Sequence, residues 1–141
     1  MFSKLKKMIR EYSELKYLAY HDSLTGLLNR NWLYKNMGLI SSKYVYFFDI
    51  NNLREVNAKG HTAGDEYIKE VISQIPITND NFLIRYAGDE FMLFTDKENA
   101  LTTNKFISVG VCGIQGDILR SIRTADMRML KAKKQWHKTR L

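Results

Sequence analysis

Apolar side chains recur along the chain with two periods, and the switches between them divide it into elements. Over residues 2–20 they fall at Leu5, Met8, Tyr12, Leu15 and Ala19, in steps of three and four, with Lys and Glu between. This spacing predicts one helix with a narrow apolar seam, suited either to a two-stranded coiled coil or to packing on the domain's own flank. Residues 21–30 break the pattern with Asp22, Gly26 and Asn29. Trp32, Leu33, Met37, Leu39 and Ile40 then predict a short second helix. Tyr44-Val45-Tyr46-Phe47-Phe48 is β-prone and apolar on both faces, a buried strand ending at Asp49. After a polar turn, helical spacing returns over 63–75 (Tyr67, Ile68, Val71, Ile72, Ile75) and Pro76 stops it. Residues 82–86 and 91–94 read as strands of a hairpin around Ala87-Gly88-Asp89-Glu90. A further strand over 106–112 precedes a last helix over 117–135, with Ile118, Ile122, Ala125, Met129 and Ala132 on one face and Asp117 near its start. Strands and helices interspersed around a hairpin predict an α+β fold, helices packed on an antiparallel-rich sheet.

A length of 141 residues, 45% of them apolar and 26% charged, accommodates one folded domain with a modest core and no second catalytic domain. The single cysteine, Cys112, excludes an internal disulfide and a multi-cysteine zinc site. No 18 apolar residues run together, and Arg10, Glu11 and Glu14 interrupt any signal-peptide core, so a soluble, cytoplasmic domain is expected. The charge is uneven: residues 120–141 carry eight basic side chains against one acid, Asp126, which equals the whole-chain net charge of +7. Such a segment is either a solvated helix face or a surface for a polyanion, whether nucleotide phosphates, nucleic acid or an acidic membrane.

Asp49 at a strand end and Asp89-Glu90 in the hairpin would converge if the hairpin lies beside that strand. Like charges at close range need a cation, and hard oxygen ligands favour Mg²⁺, Mn²⁺ or Ca²⁺; two Mg²⁺ ions at such a site form the usual apparatus for in-line displacement at phosphorus. A solvated acidic hairpin is the alternative.

The surrounding blocks add to this. His21-Asp22-Ser23-Leu24-Thr25-Gly26-Leu27-Leu28-Asn29-Arg30 resembles the opening motif of the GGDEF, or diguanylate cyclase, family. Asp49-Ile50-Asn51-Asn52-Leu53-Arg54-Glu55-Val56-Asn57, then Gly60-His61 and Gly64-Asp65, resembles its metal and guanine segment. Arg85-Tyr86-Ala87-Gly88-Asp89-Glu90-Phe91 resembles its signature hairpin with Ala in the first Gly position. Ser108-Val109-Gly110-Val111, Ala125-Asp126 and Ala132-Lys133 resemble the closing segments. The resemblance runs in family order from residue 19 to about 138. It implies a palm-like, ferredoxin-like sheet in residues 21–141, preceded by a helix over 1–20, and condensation of two GTP into cyclic di-GMP across a homodimer with Mg²⁺ or Mn²⁺. Carried over, Asp49, the Ile50 carbonyl, Asp89 and Glu90 would hold metal, with Asp89 and Glu90 serving the chemistry and Glu90 able to help remove the 3′-OH proton. Leu24, Asn57, Asp65 and Gly88 would form the nucleotide site, Asn57 and Asp65 reading guanine. Lys133 and Arg54 would face the phosphates. Asp22 and Arg30 are expected to form a loop-fixing ion pair, and His61 to order its loop. Nucleic acid is not an expected partner, since a guanine-reading pair has no purpose there.

The sequence departs from the family pattern in four places. Ala87 replaces Gly, which costs little if its φ is negative. The loop 57–61 is one residue short. The Arg expected four residues after Lys133 is His137, a weaker phosphate partner at neutral pH that Lys134, Lys138 or Arg140 could supplement. The connection 95–105 is too short for the family's helix, so one sheet face must be covered by the N-terminal helix, by another chain or by a turn near 99–102. Thr78-Asn79-Asp80-Asn81 stands where an Arg-x-x-Asp product-inhibition site would fall, so no feedback through that site is expected.

Overall fold

A computed structural model describes residues 1–139; Arg140, named above as a supplementary phosphate ligand, lies outside them. Five strands form one mixed sheet in the order β1-β3-β4-β2-β5: β1 (Leu28–Asn29), β2 (Tyr44–Ile50), β3 (Phe82–Arg85), β4 (Glu90–Thr95) and β5 (Ile107–Gly113). The β1–β3 pair is parallel and the other three pairs are antiparallel. The helices are α1 (Phe2–Tyr20), α2 (Arg30–Asn36, continued by a 3-10 turn to Leu39), α3 (Leu53–Asn57), α4 (His61–Ser73) and α5 (Ile118–Thr139).

Strand alternation sorts the core into two layers. Tyr46, Phe48 and Ile50 of β2 face α4, packing with Ile68, Val71 and Ile72. Val45 and Phe47 face the other way, against Leu33 of α2 and Ala125 and Met129 of α5. By the same alternation Asp49 falls on the α5 side, which decides what it meets. Both elements that the apolar pattern missed, β1 and α3, are too short to show a period, and α4 begins two residues earlier than its apolar spacing suggested.

No helix forms between β4 and β5, as the short connection predicted. The segment itself covers the sheet there: Ala100 and Leu101 pack on the α4-side core. The Tyr46 hydroxyl donates to the Lys97 carbonyl (2.7 Å) and accepts from the Ala100 amide (3.1 Å). The segment also seals the β5 edge, since Asn104 Oδ1 accepts from the amides of Phe106 and Ile107, and Thr103 Oγ1 accepts from the Val109 amide. Tyr46→Phe leaves two backbone groups without their partner; it is expected to cost about 1–2 kcal/mol in urea unfolding and to speed amide exchange at Ala100.

α1 stands apart. None of its residues is buried, and its seam residues Leu5, Met8, Tyr12 and Leu15 are all more than half exposed. Asn29 and Asn31 tie its last turn to the domain by donating to the Ala19 carbonyl.

Candidate active site

Asp49 lies opposite Glu90 in the β2–β4 ladder and opposite Ser108 in the β2–β5 ladder, so the strand end is flanked on both sides. The turn before β4 folds back on it, with the Ile50 amide donating to the Asp89 carbonyl (3.1 Å). Asp49, Asp89 and Glu90 each bring a carboxylate oxygen within 4.8 Å of the others. The two acidic corners therefore meet. Asp49 is buried, and its Oδ1 has no hydrogen-bond partner among the described residues. An acceptor-only oxygen held dry without a donor is costly, and a hard divalent ion is the partner that suits this oxygen set. The residues fit the metal implied by the sequence.

A basic group already reaches the cluster. Lys133 of α5 donates to Asp49 Oδ2 at 2.8 Å, 84 residues away in sequence. Burial, with the Asp89 charge adding to it, still outweighs the lysine and pushes the Asp49 carboxyl up to about 6. Glu90 is raised by burial first, then by the charges of Asp126 and Asp89. Asp126, seven residues or about two helical turns before Lys133 on α5, is itself raised by burial. It is a fourth acid beside the cluster; in the sequence it stands out only as the lone acid of a basic segment and as part of the Ala125-Asp126 closing block, with no site role attached.

Hairpin geometry depends on Arg85. Its guanidinium donates twice to the Gly88 carbonyl (3.1 and 2.7 Å) and twice to the Asp22 carboxylate (3.1 and 3.0 Å). Burial alone would raise the Asp22 carboxyl, but hydrogen bonds from Thr25 and Arg85 hold it below the usual range. This corrects one expectation: Asp22 pairs with Arg85, while Arg30 instead lies over the Tyr86 ring, 4.4 Å from its centroid, beside the Tyr34–Tyr86 hydroxyl contact of 2.8 Å. The reason is reach. β1 runs parallel to β3 with Asn29 opposite Arg85, so the 22–27 loop meets Arg85 while α2, starting at Arg30, meets the next hairpin residue, Tyr86. Ala87 is not among the residues with positive φ, so the methyl in the first Gly position is accommodated.

The remaining candidates are distributed as follows. Asn57 ends α3 with its side chain against Gly64, where an added Cβ would collide with Asn57 Oδ1; Asp65 is the next residue on α4 and is exposed. Arg54 is exposed on α3, and Leu24 packs partly buried against the α4-side core. A Cβ on Gly88 would meet no protein atom within 4 Å, so nothing inside the fold requires glycine there. His137, one turn beyond Lys133, is exposed with its ring edge against Trp136. His61 is the first residue of α4. The buried Asn51 escaped sequence reading because an amide in a polar stretch has no periodic signal. It accepts from Ser108 Oγ, donates to the Asn104 carbonyl, and its own carbonyl accepts from the Tyr67 hydroxyl. One residue thus locks the strand end beside Asp49, its side chain to β5 and the 96–106 segment and its carbonyl to α4.

Comparison with known proteins agrees with this fold. The family model for the diguanylate cyclase GGDEF domain matches residues 19–108. "Probable diguanylate cyclase DgcT" of Escherichia coli K12 is 35% identical over 91 residues, covering 57% of this chain and 20% of that protein. Signaling protein YkoW of Bacillus subtilis 168 is 29% identical over 113 residues, 69% of this chain and 14% of that protein. The chain thus spans a fifth or less of the length of these curated relatives. Among solved structures, the coiled coil and GGDEF domain of DgcB from Caulobacter crescentus, in complex with c-di-GMP, superposes with a TM-score of 0.78 at 18% identity, over 95% of this chain and 91% of that one. The S helix-GGDEF-EAL portion of Vibrio cholerae LapD, bound to c-di-GMP, gives 0.74 at 19% identity, over 92% and 38%. The fold, the order of motifs and the match over residues 19–108 lead to one conclusion: this chain belongs to the GGDEF domain family.

Proposed function

We propose that the domain is a diguanylate cyclase, condensing two GTP into cyclic di-GMP across a pair of chains. The observation that carries this is the convergence of Asp49, Asp89 and Glu90 around the unpartnered Asp49 Oδ1. Asp49, Asp89 and Glu90, with the Ile50 carbonyl, would hold Mg²⁺ or Mn²⁺. Bound there, the ion supplies charge neutralisation at the α-phosphate and lowers the pKa of the attacking hydroxyl. The 3′-oxygen of one GTP forms a bond to the α-phosphorus of the other while the bond to pyrophosphate breaks; repetition from the other side closes the ring. Glu90, raised by burial and neighbouring acids, is suited to take up the 3′-OH proton. Asn57 and Asp65 read guanine, Arg54 and His137 face phosphate, and Lys133 exchanges Asp49 for a phosphate oxygen as the nucleotide enters.

The exposed seam of α1 supports pairing through that helix. Leu15→Glu is expected to shift sedimentation from dimer toward monomer and to lower turnover at a given chain concentration. The defining experiment is mass analysis of products from mixed GTP and ATP with Mg²⁺ or Mn²⁺. Cyclic di-GMP alone is the expected result; mixed dinucleotides would remove the guanine-reading role of Asn57 and Asp65. The Lys133–Asp49 contact favours a second reading, a nucleotide-binding module whose metal site is held closed. GTP binding by calorimetry without any cyclic product, from folded protein at high concentration, would establish that one instead.

A further inference from the structure

α5 buries one side and leaves the other to solvent. Ser121, Ala125 and Met129 are buried against the sheet, and Asp126 and Lys133 are turned toward the acidic cluster. At 3.6 residues per turn, positions 119, 123, 127, 130 and 134 fall within roughly a quarter of the circumference. They are Leu119, Arg123, Met127, Leu130 and Lys134. The adjoining strip carries Arg120, Lys131 and Lys138. All eight are exposed, with Met127 at 70%, Leu130 at 48% and Leu119 at 39%.

Three features set this face apart from an ordinary solvated helix. It holds five cations and no acid. None of the five has a carboxylate within ion-pair distance among the described residues, whereas the two other cations of the helix are committed, Lys133 to Asp49 and Arg128 to the Val111 carbonyl. Its centre is aliphatic, Met127 and Leu130 lying one turn apart between Arg123 and Lys134.

We propose that the solvent face of α5 docks on an anionic lipid surface. A 22-residue helix of roughly 33 Å, exposed along one side, suits a plane better than a groove. Aliphatic side chains between long cations suit the headgroup–acyl boundary, where the apolar tips enter and the ammonium and guanidinium groups meet phosphates. A nucleic-acid surface would need the cations but has no use for the exposed Met127 and Leu130; the one aromatic ring on this arc, His137 in line with Leu119, is set edge-on against Trp136, and no amide side chain stands there to read bases.

The test is co-sedimentation of the full chain with vesicles of phosphatidylcholine alone or with about a quarter phosphatidylglycerol, in about 50 and 500 mM salt. Binding is expected only to anionic vesicles and is expected to weaken with salt. Lys131→Glu with Lys134→Glu should lower partitioning by about ten-fold or more, and Met127→Ser with Leu130→Ser several-fold, with melting temperature confirming that both pairs remain folded. α1 carries exposed cations of its own, so anionic-vesicle binding unchanged by the Lys131/Lys134 pair would overturn the proposal. So would equal binding to neutral vesicles, or no binding. Retention of a single-stranded oligonucleotide more tightly than vesicles, unaffected by the Met127/Leu130 pair, would make the face a nucleic-acid surface and also overturn it. Cyclase activity enters none of these readouts, so the result is independent of the proposed reaction.

Discussion

Asp89→Asn is expected to lower cyclic product formation by about a thousand-fold or more while leaving the fold intact. The amide keeps the size of the carboxylate but loses the charge that a divalent ion requires. Asp89 sits in the turn rather than in the core, and its charge acts on both neighbours, raising Asp49 and Glu90. Its removal therefore relieves repulsion in the metal-free protein. The melting temperature without metal should stay level or rise, whereas the rise that Mn²⁺ produces in the parent chain should disappear. A pH series adds a signed check. With Asp49 near 6 in the fold and near 4 when unfolded, the native state retains a proton that the unfolded chain has released. Its contribution is complete below about pH 4 and is lost as the pH climbs through about 6. Metal-free stability should decline across that window, and less steeply in Asp89→Asn. An Asp89→Asn protein that cyclises GTP at the parent rate would remove the cluster from the mechanism.

Gly110→Ala should cause the largest loss of stability, at least about 3 kcal/mol in urea unfolding, or near 10 °C in melting temperature. A Cβ at Gly110 would run into α5 backbone atoms, the Ala125 carbonyl and the Met129 amide among them. Backbone cannot turn aside as a side chain can, so α5 must lift from β5. That motion opens the packing of Ala125 and Met129 and carries Lys133 away from Asp49. Gly88→Ala is the matched control. Its Cβ points into open space, so stability should stay within about 0.5 kcal/mol, and any loss appears in GTP use alone. A Gly110→Ala protein of parental stability would mean that α5 does not rest on β5 as described.

Much of this molecule was legible in one dimension. The apolar run at 44–48, the helical spacing of 63–75 and of the last helix, and the two arms of the hairpin were plain because each buries a continuous face, and burial imposes a period. The motif blocks made Asp49, Asp89 and Glu90 candidates, and the short 95–105 connection announced a missing helix, because chain length bounds reach regardless of context. Ala87 was expected to be harmless if its φ was not positive, and it is not.

What lay beyond the sequence is all long-range pairing. That Arg85 rather than Arg30 answers Asp22 depends on a two-residue parallel strand too short to leave a pattern. That Asn51 ties together three elements depends on β2, β5 and the 96–106 segment ending at one place. Lys133 looked like a phosphate ligand from its motif; only the seating of α5 on Gly110 shows it resting on Asp49, with Asp126 beside Glu90. Periodicity reports which face of an element avoids water, but not which distant charge it will meet. That is settled by sheet order and helix seating, where side chains remote in sequence share one desolvated corner.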